Sequence, residues 1–304
     1  MKNKRHLIQR FLIASVAATV WLSVFSQAES DSSVVRYGGS YDDSQIFIDK
    51  ATLGVHYQVT QKVKGGNELR DISDTLLLAM SNTHSIFLDP YFKENMLKTY
   101  KMRMQRTRKA RNGADPTHES LQDIMEMRNA GSNYVEDHVG FPIQIYKDHA
   151  SQMVTSINNL DENYECVQKI DEFQHWEISD ETATIFNYSC KKAEVDYGGR
   201  HYTAWFTMDI PISEGPWKFY GLPGLILKVE DDEGLFRYEA IGLQQYGENV
   251  EIIKQKDVYE ECNLKQFNTA VNKLMSKIPV SFYYDDILYF TYITLPYAFI
   301  PMEK

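Results

Sequence analysis

The sequence predicts a β-rich α+β fold, built on one large antiparallel sheet with two or three helices. Stretches of alternating apolar and polar residues recur along the chain, and short turns containing Gly, Asn or Asp separate many of them. Tyrosine, which favours strands, accounts for 20 of the 304 residues. Few stretches are both free of Gly and Pro and rich in helix-forming residues. Strands joined in succession by hairpins pair antiparallel, so these observations favour a single extended sheet.

The N-terminus has the three parts of a secretory signal peptide. Lys2, Lys4 and Arg5 form a basic start, residues 11–28 carry no charge, and Ser26-Gln27-Ala28 is a small-x-small exit. An uncleaved anchor is the alternative, but a spanning helix needs about 20 apolar residues, and this stretch is short. We expect cleavage after Ala28, a periplasmic or secreted location, and a mature chain that does not span the membrane.

The mature chain is expected to consist of a flexible lead and a single domain. Residues 29–45 are rich in Ser, Asp and Gly, and the domain covers 46–304. Within it, 91–111 and 117–129 predict two helices, which form a basic helical insertion at about 91–130. The basic residues of the first helix either form a solvated face or contact a polyanion such as outer-membrane lipid headgroups, or the protein's own acidic sheet.

The remaining elements are predicted from alternation and from turn residues. Gly234 closes the acidic turn Asp231-Asp232-Glu233 and supplies the positive φ that a tight hairpin requires. A last helix is expected over 256–277. Strands are expected at 53–63, on both sides of a turn at 81–83, at 140–146, 152–157, 166–170, at 175–178 and 184–188 around a turn at 179–181, at 201–210, 225–230, 235–241, and once or twice within 278–302.

Composition and charge limit the classes of function. The chain is 43% hydrophobic and 24% charged, which is enough to build a real core. Loss of the leader's four basic residues takes the formal net charge from −10 to −14. Nucleic-acid affinity comes mainly from Lys and Arg on phosphates, so such an acidic protein is not expected to bind nucleic acid. The same charge weakens any general attraction to anionic lipid.

The chain contains three cysteines, Cys166, Cys190 and Cys262. In an oxidising compartment, two of them would be expected to pair. Cys166 and Cys190 enclose a short loop and are the favoured disulfide, with Cys190 and Cys262 as the alternative, because spacing alone does not determine connectivity. The remaining thiol is expected to be buried and inert.

The segment from Gly215 to Glu230 is the most unusual in the chain. Gly215-Pro216 and Pro223-Gly224 restrict the shape of a loop that presents three apolar residues. One interpretation is a binding lip, and the alternative is a rigid corner that plugs the open end of a sheet with Trp217. The predicted ligand-binding residues are Trp205, Trp217, Phe219 and Leu222.

The hexapeptide Gly221-Leu222-Pro223-Gly224-Leu225-Ile226 resembles the signature of the GLPGLI family, exported proteins of Gram-negative bacteria. The segments 185–193, 199–207 and 209–212 also resemble this family, whereas the end of the chain, 299–302, departs from it. The resemblance implies export but brings no established activity. Gly-Leu-Pro followed by a strand, an acidic turn and a return strand also resembles the open half-barrel of periplasmic lipoprotein carriers, which hold acyl chains.

No motif for reaction chemistry is found in the sequence. It has no Gly-x-Ser-x-Gly, no His-Glu-x-x-His, no phosphate-binding Gly loop and no Cys-x-x-Cys. His201 and Asp209 share a strand face, but at about 3.3 Å per residue they lie too far apart to pair. No catalytic, metal-binding or cofactor-binding residue is therefore predicted, and no cofactor.

We expect an exported, non-enzymatic envelope protein that binds a hydrophobic ligand or a protein partner. The alternatives are a secreted enzyme of unrecognised type and a purely structural envelope component. A carrier should have a concave sheet lined by Tyr202, Phe206 and the C-terminal aromatic residues. A structural component should have a filled core instead.

Overall fold

The computed structural model describes residues 34–38, 45–65, 67–91, 143–158, 164–169, 174–256, 259–275, 277–284, 287–294, 298–299 and 302–303. Two compact units are present, Met1–Val35 and Arg36–Lys304, and only the exposed Val34 and Val35 of the first are described. The predicted signal peptide and the two helices of the basic insertion lie outside the described residues. No helix among the described residues is long and apolar enough to cross a membrane.

The described residues contain strands throughout and one helix, α1, at Leu264–Met275. The strands are β1 Val35–Gly38, β2 Gln45–Lys50, β3 Leu53–Gly65, β4 Glu68–Met80, β5 His84–Leu88, β6 Ile143–Asp148, β7 Met153–Asn158, β8 Tyr164–Lys169, β9 Glu177–Ile185, β10 Tyr188–Tyr197, β11 Arg200–Thr207, β12 Leu225–Asp231, β13 Phe236–Gln245, β14 Val250–Gln255, β15 Glu260–Glu261, β16 Lys277–Tyr284, β17 Ile287–Thr294 and β18 Ala298–Phe299.

Thirteen of these strands form one large sheet, in the order β15-β8-β7-β6-β5-β4-β3-β13-β12-β11-β10-β9, with β18 paired to β3. Its pairings are antiparallel apart from the short β15–β8 pair, which is parallel. The sheet is open, because the described strands at its two ends, β15 and β9, do not pair. A three-stranded sheet, β1-β14-β2, and the hairpin β16–β17 complete the described strands. The predicted β-rich fold with a large antiparallel sheet is confirmed.

The large sheet buries both faces at its centre. On β4, Leu76, Leu78 and Met80 belong to one core cluster, whereas Leu77 and Ala79 belong to another. The second cluster contains Ile252 of β14, so the small sheet covers that face. The opposite face, called here the loop face, carries the apolar residues of β11 and β13. These are Tyr202, Ala204, Phe206, Phe236, Tyr238 and Ala240.

The large sheet is strongly curved around its loop face. Lys147 on β6 and Tyr197 on β10 both contact Phe219: the Lys147 Nζ lies 3.0 Å from the Phe219 carbonyl oxygen, and the Tyr197 and Phe219 ring centroids are 6.0 Å apart. In the strand order, β6 and β10 are seven steps apart. In a flat sheet with about 4.8 Å per strand, they would be separated by about 34 Å. The loop face is therefore concave.

The hairpin turn between β9 and β10 differs from the prediction. The sequence placed a turn at 179–181, but β9 runs through these residues, and the chain turns at Phe186 and Asn187. Both have positive φ, 48° and 65°, as in the two-residue turn that matches strand twist. The acidic residues that suggested a turn lie on the edge strand of the sheet, where exposed charges discourage further strand pairing.

The helix near the C-terminus is shorter than the predicted 256–277. Asn263 determines where α1 begins: its Oδ1 accepts from the Gln266 N–H at 2.9 Å, and its own N–H donates to the Gln266 Oε1 at 3.0 Å. This reciprocal cap satisfies two backbone donors that would otherwise lack partners. The residues before it form β15 along the edge of the large sheet. Strand β14, directly upstream, was not predicted.

Candidate functional site

The connection between β11 and β12 covers residues 208–224, and its part 213–224 is called here the signature loop. Trp217, Phe219 and Leu222 are 5%, 0% and 1% exposed and belong to the core cluster of the loop face. Gly224 passes close to the sheet, since a Cβ there would lie 2.1 Å from the Thr207 carbonyl oxygen. The signature loop therefore fills the concave face of the sheet instead of projecting into solvent.

The ring of Phe219 is the centre of an aromatic cluster. Its centroid lies 4.8 Å from that of Tyr202 and 5.3 Å from that of Trp217, with tilted or edge-on geometry. Tyr197, Trp176 and Tyr238 surround it at 6.0, 6.1 and 6.5 Å. These distances and angles are those at which aromatic pairs attract one another.

Trp217 has a strained backbone. Its φ is +52°, in the left-handed region that bulky residues rarely adopt. Such a conformation costs on the order of 1–3 kcal/mol and persists only where the surroundings enforce it. Trp217 lies within a turn from Pro216 to Phe219, which is closed by the hydrogen bond from the Phe219 N–H to the Pro216 carbonyl oxygen at 3.0 Å. This turn is one such constraint.

A buried ionic cluster binds the first half of the signature loop to β6. The ammonium group of Lys147 donates to the Glu214 Oε2 at 2.7 Å and to the carbonyl oxygens of Gly215 and Phe219 at 2.8 and 3.0 Å. The other carboxylate oxygen of Glu214 lies 2.6 Å from the His149 Nε2. The Lys147 and Glu214 side chains are 0% and 1% exposed. Three donors of one lysine therefore all bind the loop.

The charge state of this cluster follows from its neighbours. Burial raises the pKa of Glu214, but the charge of Lys147 and the hydrogen bond with His149 outweigh burial and lower that pKa to about 2. Burial also lowers the pKa of Lys147, against the attraction of Glu214. The carboxylate is thus ionised at neutral pH.

A second ionic contact fastens the other half of the loop. The Lys218 ammonium lies 3.0 Å from each carboxylate oxygen of Glu303 and 2.7 Å from the Gln168 Oε1. The Tyr197 hydroxyl donates to the same Glu303 carboxylate at 3.0 Å. This contact joins the loop to β8, to β10 and to the C-terminal residues of the chain.

A small pocket lies beside Lys218, between the two ends of the sheet. Gln174 forms part of its wall: its side-chain amide donates to the Lys218 carbonyl at 2.7 Å and accepts from the Tyr220 N–H at 3.0 Å. The pocket has room for about one water molecule. Its lining residues are Val154, Gln168, Lys169, Gln174, Tyr197, Lys218 and Tyr220.

Of the four predicted ligand-binding residues, three are buried in one core cluster, and the fourth, Trp205, packs against that cluster as a partly buried residue. Trp217, Phe219 and Leu222 share one cluster, with the burial that the rigid-corner interpretation requires. Trp205 is half-buried and alternates with the inward residues of β11, and its cross-strand neighbours are Lys192 and Lys228. Ligand binding by these residues stays a prediction.

Sequence reasoning missed the ionic residues that hold the loop. Lys147 comes two residues after Ile145, so both lie on one face of β6. A lysine that alternates in step with apolar residues was the sequence pattern that could have identified it. Nothing in the sequence pairs Lys147 with Glu214, or Lys218 with Glu303, because these partners are distant in the chain and belong to different elements.

All three cysteines are free thiols in this structure, so the expected Cys166–Cys190 disulfide is not formed. Cys166 lies on β8 and Cys190 on β10, with eight strands between them in the sheet order. The curvature brings Tyr197 of β10 near β8, but Cys190 is seven residues from Tyr197, or about 23 Å of extended strand. A disulfide requires Cα atoms about 4.4–6.8 Å apart.

The polar cluster around Asp49 contains residue types that occur in catalytic sites, but its side chains bind one another. Asp49 accepts hydrogen bonds from the Ser81 and Thr83 hydroxyls at 2.5 and 2.7 Å, and its Oδ2 lies 3.1 Å from the His84 Nδ1. Burial raises the pKa of Asp49, but these bonds outweigh it and lower the pKa to about 2. The Ser81 hydroxyl donates to a carboxylate instead of to an imidazole, so the cluster stabilises a turn and does not activate a nucleophile.

His201 pairs with Asp196 on β10 and not with Asp209, at 2.8 Å between the Nδ1 and the Oδ1. This bond raises the pKa of His201. Within the described ranges, no group of three or more His, Cys, Asp or Glu side chains could hold a metal ion.

One family model matches this chain, over residues 198–228, and its family is described as a protein of unknown function (Porph_ging). The match contains the hexapeptide of the signature loop. Among curated proteins, none matches the sequence.

Several solved structures are similar. PNGF-II in the C2 space group has a TM-score of 0.44 at 14% identity, over 77% of this chain and 35% of its own. The P21 form gives 0.43 at 13% identity, over 76% and 35%. The LolA superfamily protein NE2245 from Nitrosomonas europaea has a TM-score of 0.24 at 8% identity, over 66% of this chain and 89% of its own. The chain thus spans about a third of PNGF-II, and similarity at this level carries no conclusion about function.

Proposed function

We propose that this chain is an exported, non-enzymatic binding protein of the GLPGLI type, and that its ligand is an amphiphile with an apolar chain and an anionic group. In the ligand-free protein, the signature loop occupies the place of that ligand. The observation that carries the proposal is the position of Trp217, Phe219 and Leu222, which fill the concave face between the two ends of the curved sheet.

The apolar part of the ligand follows from what the loop covers. Displacement of Phe219 would uncover the rings of Tyr202, Tyr197 and Tyr238, which now surround it. An acyl chain is the kind of ligand that such an apolar surface takes. The strain at Trp217 favours release, because a backbone held at a φ of +52° gains freedom when the loop leaves.

The anionic part of the ligand follows from Lys147. This side chain belongs to β6 and stays with the sheet, whereas its counter-charge, Glu214, leaves with the loop. A buried ammonium group without a partner costs several kcal/mol. A carboxylate or phosphate on the ligand restores the pair, so we expect binding to depend on this charge.

A partner strand added at the edge of the sheet is less favoured. Among the described strands, β9 forms one edge of the sheet and carries Glu177, Asp180 and Glu181, and its pairing with β10 shifts register between Lys191 and Ala193. Charges and bulges of this kind protect an edge against further pairing. A purely structural role is the second candidate, supported by the close packing of the loop against the sheet.

Binding of palmitate and of hexadecanol to the delipidated protein tests the proposal. We expect palmitate to bind at least about tenfold more tightly, because a charge-assisted hydrogen bond contributes about 1.5–3 kcal/mol. Amide hydrogen exchange in residues 213–224 should accelerate on binding, since the loop is displaced. If neither compound binds, or exchange in the loop is unchanged at saturation, the structural role is correct instead.

Two variants locate the anionic group. Lys147→Met combined with Glu214→Leu removes both buried charges together and should abolish the preference for palmitate over hexadecanol. Lys228→Met is the matched control, because Lys228 on β12 pairs with Glu230 and lies opposite Trp205 and Glu239, on the face of the sheet that the signature loop does not cover. Retention of the preference in the double variant would show that the ligand does not use Lys147.

A further inference from the structure

Cys166 and Cys262 lie side by side at the edge of the large sheet. Strand β15 pairs with β8 in parallel register, Glu260 opposite Tyr164 and Glu261 opposite Glu165. The Cys262 N–H donates to the Glu165 carbonyl oxygen at 3.0 Å, which carries the register one residue further. Cys262 therefore lies opposite Cys166.

This position meets the geometric requirement for a disulfide. Neighbouring strands are about 4.8 Å apart, and residues opposite each other in a parallel pair project to the same side of the sheet. A disulfide bridges Cα atoms about 4.4–6.8 Å apart. Burial raises the pKa of Cys166 to about 11, and Cys262 contributes to that rise, as expected of two thiols in proximity.

We propose that Cys166 and Cys262 form a disulfide between β8 and the start of α1 when the folded protein meets a disulfide oxidant. The reaction is a thiol–disulfide exchange with an oxidant that itself carries a disulfide, such as oxidised glutathione or a thiol–disulfide oxidoreductase. This inference does not depend on the proposed ligand.

The order of attack follows from exposure. Cys262 is partly exposed, whereas Cys166 is 1% exposed, so the Cys262 thiolate reaches the oxidant first and forms a mixed disulfide. The Cys166 thiolate then attacks the Cys262 sulfur and releases the oxidant as its thiol. Two thiols of the protein lose two protons and two electrons, and the disulfide of the oxidant gains them.

The bond would fix the C-terminal part of the chain to the sheet. Cys262 immediately precedes the cap of α1, and β15 is the last strand of the large sheet at that end. The closed loop contains about 95 residues, for which cross-linking constrains the unfolded chain strongly. We expect the oxidised protein to melt about 5–15 °C above the reduced protein.

The experiment uses the full chain with Cys190→Ser, so that only the two thiols in question remain, and the unsubstituted chain beside it. After exposure to mixed oxidised and reduced glutathione, the mass should fall by two hydrogen atoms. Non-reducing peptide mapping should find the peptides of Cys166 and Cys262 joined. Oxidation in native buffer should be at least about tenfold faster than in denaturant, because folding brings the thiols together.

Cys262→Ser and Cys166→Ser, each in the Cys190→Ser background, are the controls and should show neither the mass change nor the rise in melting temperature. Three results would overturn the proposal. The first is that both thiols still react with maleimide after oxidation and denaturation. The second is that a disulfide to Cys190 forms in the unsubstituted chain. The third is that oxidation is equally fast in native buffer and in denaturant.

Discussion

The ammonium group of Lys147 on β6 lies 2.7 Å from the carboxylate of Glu214 in the signature loop, and both side chains are buried. Desolvation of two charges costs several kcal/mol, which their mutual attraction offsets only where further hydrogen bonds complete the site. Here the carbonyl oxygens of Gly215 and Phe219 complete it. The position of the signature loop therefore depends on a strand far from it in the sequence.

Removal of one member of this pair should destabilise the protein strongly. Lys147→Met leaves the Glu214 carboxylate buried without its main counter-charge, and we expect a loss of about 3–5 kcal/mol in the free energy of unfolding. The double variant Lys147→Met/Glu214→Leu removes both charges and should recover much of that loss. Urea unfolding of the unsubstituted chain, the single variant and the double variant measures these losses. Lys228→Met is the control, and its free energy of unfolding should change by less than about 1 kcal/mol. Equal losses in the single and double variants would contradict this account.

Stability should fall in acid because of Glu214. Its pKa is about 2 in the folded protein, and about 4.3 in an unfolded chain. The unfolded state therefore binds the proton first, so the contribution is complete above about pH 4.3 and is lost as the pH falls toward 2.

Glu214→Gln should flatten this part of the stability–pH curve, measured by urea unfolding between about pH 5 and 2. Asp49 titrates over the same interval, because its folded pKa is also about 2. The two sites are linked, because the His149 N–H donates to the Thr83 carbonyl oxygen at 3.0 Å, so the effect of Asp49→Asn/Glu214→Gln should differ from the sum of the single effects by their coupling. An unchanged slope in Glu214→Gln would show that its carboxylate is not ionised when buried.

Phe219 should be the most sensitive aromatic residue of the loop. It is 0% exposed at the centre of its cluster, and Phe219→Ala should cost about 3–5 kcal/mol by lost burial and by the cavity it leaves. Phe47 on β2 is 55% exposed, and Phe47→Ala should stay within about 0.5 kcal/mol. Thermal or urea unfolding compares the two, and similar costs would mean that the loop does not pack as described.

Gly224 should not tolerate a methyl group. The Cβ of Gly224→Ala would lie 2.1 Å from the Thr207 carbonyl oxygen, a backbone atom that moves only with its strand. We expect a loss of about 1–3 kcal/mol. Gly247→Ala is the matched control, since a Cβ there meets nothing within 4 Å. A loss in Gly247→Ala as large as that in Gly224→Ala would argue against this cause.

Some elements could be predicted because their signal is local. Strand β11 alternates buried and less buried residues from Tyr202 to Phe206, and the turn before β13 ends in Gly234 with a φ of +64°. The β9–β10 turn could not be placed, because Ser179-Asp180-Glu181 has turn composition while it lies in an exposed edge strand. The helix was predicted to begin too early in the chain. Glu260 and Glu261 pair with β8 as a short strand, so the helix begins only after the cap at Asn263.

The sequence by itself determined the strand-rich class, the alternation of each strand and the restricted shape of the signature loop, since each depends on residues close together in the chain. Only the tertiary structure decided that the sheet curves, that Trp217, Phe219 and Leu222 fill its concave face, and that Lys147 holds Glu214. It also placed Cys166 beside Cys262 and far along the sheet from Cys190. These relationships depend on strand order and curvature, which arise from packing between distant segments and leave no local pattern to detect.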